Sequence, residues 1–507
     1  MKKIISWVAL VLVFVCFISF STLDIKDLDV ISVQAKESDE LKAPKYIFMF
    51  IGDGMSQVQV NAAQIYKGTT MSNGTELSLL SFTKFPVTGL LTTQNAETFV
   101  PDSASTATAL SSGIKTNSGV LGLTADKTKV TETIAEKMKA AGKKVGIVTS
   151  VTLNHATPAA YYAHVPHRGE YYEIAKQLAN SNFDYFGGGG LLQPTGKNQT
   201  EKDAFQIIKE AGYEILDTKE EILALTNDAG KVYALSPVLQ DNRALSYQID
   251  QQEGDLDLAD FVRKGIDVLS GNEGSFMMVE SGKIDWSCHA NDAMTTINEV
   301  LGFEEAINVA IDFSTKHPEE TLILVTGDHE TGGMSIGYAA TGYETTFKLL
   351  EKQKMSYIAF DELIKTKKSE NPQLTFEEVL PLIEENFGLV VTKDNDRKSL
   401  KNNPLILTDF ELAKLKASFK ESMKPAKHRS EDEKSQLLYG GYEPLSVTLT
   451  HILNNKAGIG WTTYAHTGAP VAIYAMGAEA ELFGGFYDNT EVYDKLLEVT
   501  NLNGCED

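Results

Sequence analysis

The chain has 507 residues, 42% of them hydrophobic and 23% charged, which is ordinary for a globular protein with room for a large buried core. A formal net charge of −23 excludes nucleic acid or an anionic membrane surface as a main partner, and it obliges any anion site to carry its own local positive charge. Three cysteines require no disulfide framework, because Cys16 lies in the N-terminal apolar run and only Cys288 and Cys505 remain, enough for one bridge that nothing else supports.

Lys2 and Lys3 precede an apolar run from Ile4 to Phe20, and Val33-Gln34-Ala35 resembles a small-residue cleavage site. Residues 1–35 are therefore expected to be a cleaved export signal, placing the protein in a periplasmic, extracellular or cell-surface compartment. An uncleaved anchor is the alternative, since the apolar run borders on membrane-spanning length. Removing the segment leaves the charge at −23, because Lys2, Lys3 and Lys26 balance Asp24, Asp27 and Asp29.

After the signal, short apolar runs alternate with amphipathic stretches, the pattern of an α/β fold with a mostly parallel sheet. Lys45–Ile51 is a buried strand ending in Gly52-Asp53-Gly54, followed by helical pattern over about 57–67. Asp102 or Ser103 caps a run of small residues that Gly113 closes. Residues 130–141 predict a helix, 145–149 a strand and 171–180 a helix; 183–186 then runs into Gly187–Gly190, expected as a tight turn. Helices are predicted over 201–211, 218–226, 256–270 and 295–316, and strands over 275–279, 321–326 and 471–475. Residues 340–442 differ: they are rich in Lys, Glu and Asn, poor in strand pattern, and hold two capping boxes, Thr375–Glu378 and Thr408–Glu411. That segment is expected to be a helical insertion, with Pro381 kinking one helix and Asp394-Asn395-Asp396 forming a solvated loop.

Chemistry gathers at strand ends. Asp53, Glu280 and the pair Asp328-His329 each follow a buried strand directly or within two residues, and the carboxyl ends of parallel strands line the ligand crevice of open α/β sheets. Asp285 and His289, four apart on a predicted helix, share one face and suit a metal, and His466 precedes the last strand. His, Asp and Glu donors fit catalytic zinc or a zinc–magnesium cluster. Ser103, at a helix N-terminus where an anion is welcome, is a candidate nucleophile, although taken by itself it reads first as an ordinary cap. His164 and His167 lie near Arg168 in sequence, His451 falls in an apolar helical stretch, and His317 and His428 read as surface positions.

Six motifs in order resemble the alkaline phosphatase family: Gly52-Asp53-Gly54-Met55, Pro101–Ser105, Ala156-Thr157-Pro158-Ala159, Glu280 to His289, Thr326 to Gly333, and His466-Thr467-Gly468. The resemblance implies a three-layer sandwich with a central mostly parallel sheet flanked by helices, a catalytic domain over 36–507, a helical insertion at 340–442 forming a crown or lid, and a homodimer. It implies hydrolysis of small-molecule phosphate monoesters through a phosphoserine on Ser103. Asp285, His289 and His466 would hold one Zn2+, and Asp53, Asp328 and His329 a second. Asp53, Thr157 and Glu280 would hold a third ion, Mg2+ or zinc. Arg168, steadied by Asp102, would clamp phosphoryl oxygens. Relatives vary near the third ion and the phosphate, and here those positions are His155 and Trp286; some relatives carry aspartate and lysine there. Trp286 brings no positive charge to phosphate, which predicts weak retention of the product. The same superfamily includes phosphodiesterases, sulfatases and phosphoglycerate mutases, and Asp102-Ser103-Ala104 favours the monoesterase. A non-catalytic phosphate- or metal-binding protein would have lost the nucleophile or a ligand, and neither is lost.

Overall fold

A computed structural model describes residues 43–71, 75–392 and 397–502. The expected signal, Cys505 and the loop Asp394-Asn395-Asp396 lie outside the described residues. Those that are described fall in one unit, Lys42–Asp507.

Fourteen strands are described: β1 Tyr46–Gly52, β2 Val87–Thr92, β3 Lys144–Thr149, β4 Tyr185–Gly188, β5 Glu214–Leu216, β6 Val232–Leu235, β7 Ser275–Ser281, β8 Thr321–Gly327, β9 Glu330–Thr331, β10 Ser335–Ile336, β11 Ile459–Gly460, β12 His466–Thr467, β13 Val471–Gly477 and β14 Gly485–Asp488. Ten build one sheet in the order β14-β2-β13-β8-β1-β7-β3-β4-β6-β5. All its pairings are parallel except those of β13, which runs antiparallel to both β2 and β8. The two short ribbons are β10 with β11 and β9 with β12.

Strand β1 is buried along its whole length because both faces of the sheet are covered. Ile47, Met49 and Ile51 pack into one core with the helices Ser103–Ser112, Ile134–Ala140, Tyr171–Asn180 and Glu491–Thr500. Phe48 and Phe50, on the opposite face, join a second core with Leu258–Leu269 and Ala293–Ser314. Alternate side chains of one strand thus hold two helical layers. The helices Tyr357–Glu370, Phe376–Phe387 and Asp409–Ser422, from the segment between 340 and 442, add Phe360, Val379 and Leu415 to the second core. The helix Phe376–Phe387 runs through Pro381, and both expected capping boxes form.

Two expectations need correction. Gly187 and Gly188 are not a turn but the end of β4. A Cβ on Gly188 would stand 1.9 Å from the Thr149 carbonyl oxygen, at φ +126°, so the glycine lets two neighbouring strands approach. The helix expected from residue 130 begins at Ile134, because Thr133 and Glu136 close a capping box there while Val130 bridges to Leu123. Strands β2, β5, β6 and β14 were not expected.

Candidate metal centre

Register brings the strand ends together. Gly52 of β1 pairs with Ser281 of β7 and Gly327 of β8, so Asp53, Glu280 and Asp328 leave the sheet at one level. Because β13 alone runs backward, its N-terminal side faces the same crevice. His466, just before it, is carried there on the β12–β9 ribbon, where it pairs with Thr331. The helix Lys283–His289 follows β7 directly and turns Asp285 and His289 inward. Gly54, at φ +73°, completes the turn after β1; a Cβ there would meet Asp285 Cα at 2.9 Å.

Ser103 opens the helix Ser103–Ser112, with Asp102 as its cap: the Asp102 carboxylate accepts from the Ser105 amide, and Gly113 closes the helix at φ 70°. The Ser103 hydroxyl is buried, 3.2 Å from His329 Nε2 and 3.4 Å from Asp53 Oδ1. Beside it, Arg168 Nη1 donates to Asp102 Oδ2 at 3.1 Å, an oxygen that also accepts from the Gly119 amide at 3.0 Å. Burial works against the Asp102 charge, but Arg168 and these donors hold its carboxyl below the usual range.

Three sets of ligand atoms, each within 4.8 Å, emerge among the described residues: Asp285 with His289 and His466; Asp53 with Asp285 and His329; and Asp53 with His155 and Glu280. Asp328 stands at the rim of the second set, with Oδ2 3.4 Å from His329 Nε2. It is fixed by the amides of Gly54 at 3.2 Å and His329 at 2.9 Å and by the Thr106 hydroxyl at 3.0 Å. Thr157 Oγ1 is 3.5 Å from Asp53 Oδ2. Trp286 meets the His155 ring edge-on, centroids 5.7 Å apart.

The imidazoles test whether cations fit. His289 Nδ1 faces the Tyr464 carbonyl at 2.5 Å, and His466 Nδ1 the Pro101 carbonyl at 2.7 Å. Carbonyls only accept, so each Nδ1 carries a proton, and in the neutral ring each Nε2 is left with a lone pair. Those two Nε2 atoms face each other at 3.1 Å and stand 3.3 and 3.6 Å from Asp285 Oδ1. Three electron-rich atoms at that spacing need a cation or a proton between them. In the third set, Glu280 Oε1 and His155 Nδ1 are buried without a hydrogen-bond partner among the described residues, while Glu280 Oε2 accepts from Thr149.

Charge tells the same story. Burial, with the charges of Asp328, Asp285 and Glu280, pushes the Asp53 carboxyl well above its usual range. Burial pushes Glu280 up to about 8 and Asp328 up to about 7. Burial pulls His289 down, but the Asp285 carboxylate outweighs it and the ring rises to about 9. Burial and the nearby Arg168 bring His155 down to about 3, so that ring is neutral. Crowded carboxylates that hold protons are what a divalent cation would ionise.

Arg168 Nη2 is 3.4 Å from His155 Nε2, so both flank the Ser103 helix end. His164 does not join them: it spans Gly122 O and Glu136 Oε1, each at 2.9 Å. His167 takes the Gly169 amide at 3.0 Å, and His451 Nε2 contacts Asn291 Oδ1 at 3.0 Å. Sequence reading missed Glu330, a buried carboxylate that accepts from Gln59 Nε2 at 2.8 Å, the Gly333 and Met334 amides and the Thr467 hydroxyl. Its only signal was its place directly after His329.

The chain matches the family described as alkaline phosphatase over residues 44–502. Alkaline phosphatase 3 of Bacillus subtilis (strain 168) is 30% identical over 498 residues, spanning 96% of this chain and 95% of that protein. The cold-active alkaline phosphatase of the psychrophile Shewanella sp. superposes with a TM-score of 0.72 at 26% identity, over 90% of this chain and 99% of that one. Alkaline phosphatase from the Antarctic bacterium TAB5 gives a TM-score of 0.59 at 25% identity over 91% and 99%, and a histidine-to-glutamate variant of it has Mg bound in the M3 site. Sequence coverage and backbone architecture lead to one set of enzymes, and this chain belongs to the alkaline phosphatase family of phosphoric monoester hydrolases.

Proposed function

We propose that the protein is an exported enzyme that hydrolyses phosphate monoesters through a phosphoserine on Ser103. The observation that carries this reading is the buried Ser103 hydroxyl, which lies within contact of His329 Nε2 and Asp53 Oδ1, two atoms that are also candidate metal ligands. Asp285, His289 and His466 would hold one zinc, and Asp53, Asp328 and His329 a second. Asp53, Thr157 and Glu280 would hold a third ion, magnesium, or zinc if His155 lends its unpartnered nitrogen. Bound there, the ions would neutralise the ester's charge, favour ionised serine and leaving oxygens, and lower the pKa of the attacking water.

The chain's own groups bind and orient. Arg168, held by Asp102, presents a planar pair of donors that suits two non-bridging phosphoryl oxygens. The helix N-terminus at Ser103 adds its positive dipole end. Ser103 Oγ attacks phosphorus, the ester P–O bond breaks and the alcohol leaves with a proton. Water then attacks the phosphoserine, giving orthophosphate and the restored serine.

Residues 1–35 direct export, 36–507 form the catalytic domain with 340–442 inserted as a crown or lid, and the active species is a homodimer. Support for export is the basic-then-apolar N-terminus of the sequence. Among the described residues no helix is long and apolar enough to cross a membrane.

Ser103→Ala tests the nucleophile. Aryl phosphate turnover should fall on the order of 10⁴-fold or more, while metal content by elemental analysis stays at the wild-type level. Unchanged turnover would reject the mechanism. Faster cleavage of a bis-aryl phosphate or an aryl sulfate by the wild type would favour the diesterase or sulfatase alternative.

A further inference from the structure

We propose that Thr331 is a positioning residue shared by both zinc clusters, its single hydroxyl orienting Asp285 of one and His329 of the other. The inference rests on the metal assignment above and adds a residue to it.

Thr331 is fully buried in β9, and Oγ1 stands 2.6 Å from Asp285 Oδ1 and 3.3 Å from His329 Nδ1. That Asp285 oxygen is the one facing His289 and His466. A hydroxyl has one proton to give. At 2.6 Å from a carboxylate oxygen the proton must lie between the two, since the reverse arrangement sets lone pair against lone pair. The hydroxyl oxygen then accepts from His329, so His329 Nδ1 carries hydrogen. The His329 Nε2 lone pair is thereby aimed at Ser103 Oγ, Asp53 Oδ1 and Asp328 Oδ2, at 3.2, 3.3 and 3.4 Å. One proton position thus sets the direction of a ligand in each cluster.

The backbone of Thr331 is tied as firmly. Its amide donates to Gly54 O at 3.2 Å, and its carbonyl accepts from Gln59 Nε2 at 3.1 Å. It lies opposite His466 on the β12 ribbon. The Gly54 turn passes close to the hydroxyl with no room for a side chain: a Cβ at Gly54 would stand 2.8 Å from Oγ1. The hydroxyl bonds Asp285 and His329 rather than Ser103, so it acts through those two residues.

The test compares wild type with Thr331→Val, Thr331→Ala and Thr331→Ser. Each is stripped of metal, checked by thermal unfolding, then titrated with zinc against a chromophoric chelator; kcat and KM for an aryl phosphate follow on the reloaded forms. Loss of the hydroxyl should weaken both zinc sites together by about 10–100-fold, the usual effect of removing a group that orients a ligand. It should lower kcat more than it raises KM, and serine should restore most of both. Alanine removes the hydroxyl without placing a methyl in its polar pocket, so it serves if valine does not fold. Wild-type zinc affinity in the valine and alanine forms, weakening at one site alone, or failure of serine to rescue would each overturn the proposal. A wild-type protein that takes up no zinc would instead remove the metal assignment, and this inference with it.

Discussion

At the crevice, carboxylates and imidazoles are buried against one another, and some of their atoms have no hydrogen-bond partner among the described residues; Glu280 Oε1 and His155 Nδ1 are two. Between residues 340 and 442 the helix ends are closed by neighbours in sequence. Ser356, Thr375, Thr408 and Asp432 cap their own helices, and Gly388 and Gly440 end two of them in the left-handed conformation. The exposed charges there pair one turn apart, as in Lys365 with Glu362 and Lys367 with Glu370, and such pairs contribute little. The helix ends of one region are satisfied by local chemistry. The other gathers buried ligand atoms that the proposed cations would complete, and perturbing each in turn separates the two.

The largest effect should come from a chelator. Stripping metal should cut phosphomonoester turnover about 10³-fold or more and lower the unfolding temperature. Far-UV circular dichroism should still report the intact helices. Turnover that survives dialysis against chelator with no metal left by elemental analysis would remove the contrast.

Next comes pH. In the metal-free protein Glu280 rises from 4.5 to about 8, and Asp328 from 3.8 to about 7. Folded-state values above the unfolded ones mean that the native protein holds extra protons between them. The associated stability is fully present below the unfolded values and is lost as pH climbs through 7 to 8. A divalent ion bound there would displace those protons, so its affinity should strengthen as pH rises over the same window, by about tenfold per unit for each proton released. Isothermal titration in buffers of different ionisation enthalpy counts the protons; a pH-independent affinity would contradict the charge pattern.

A smaller effect is expected at the rim. Trp286→Lys should strengthen inhibition by inorganic phosphate several-fold, on the order of one surface-exposed charge contact or more. An unchanged inhibition constant would show that residue 286 does not reach the phosphate. The smallest effect belongs to the helices. Thr375→Ala should cost about 1 kcal/mol of stability by chemical denaturation and leave kcat as it was.

The strand ends were legible because Asp53 and Asp328-His329 close uninterrupted apolar runs, and buried parallel strands write such runs into the sequence. Caps at Asp102, Thr375 and Thr408 were legible because their partners lie three residues away. Strand β2 was not, since Val87–Thr92 alternates burial around Gly89 and carries no continuous apolar run. Strand β5 has only three residues. Gly187 and Gly188 resembled a turn because nothing local reveals the Thr149 carbonyl that excludes a side chain at Gly188. Glu330 and Thr331 escaped notice for a related reason: the partners that tie them across the site, Gln59, Asp285 and Thr467, are tens to hundreds of positions away, and no periodicity encodes such a bond.

The reversed direction of β13 has a consequence for the order of assembly. His466 reaches the crevice only because this late strand enters the sheet from the opposite end, next to β8. A chain still being made therefore carries Asp285 and His289 long before His466 exists. If these three residues hold the proposed zinc, an incomplete polypeptide offers only two of the three ligands and should grip the ion weakly. Tight metal capture would then mark the end of synthesis, and a truncation before His466 should leave a protein that neither retains the ion nor turns over substrate.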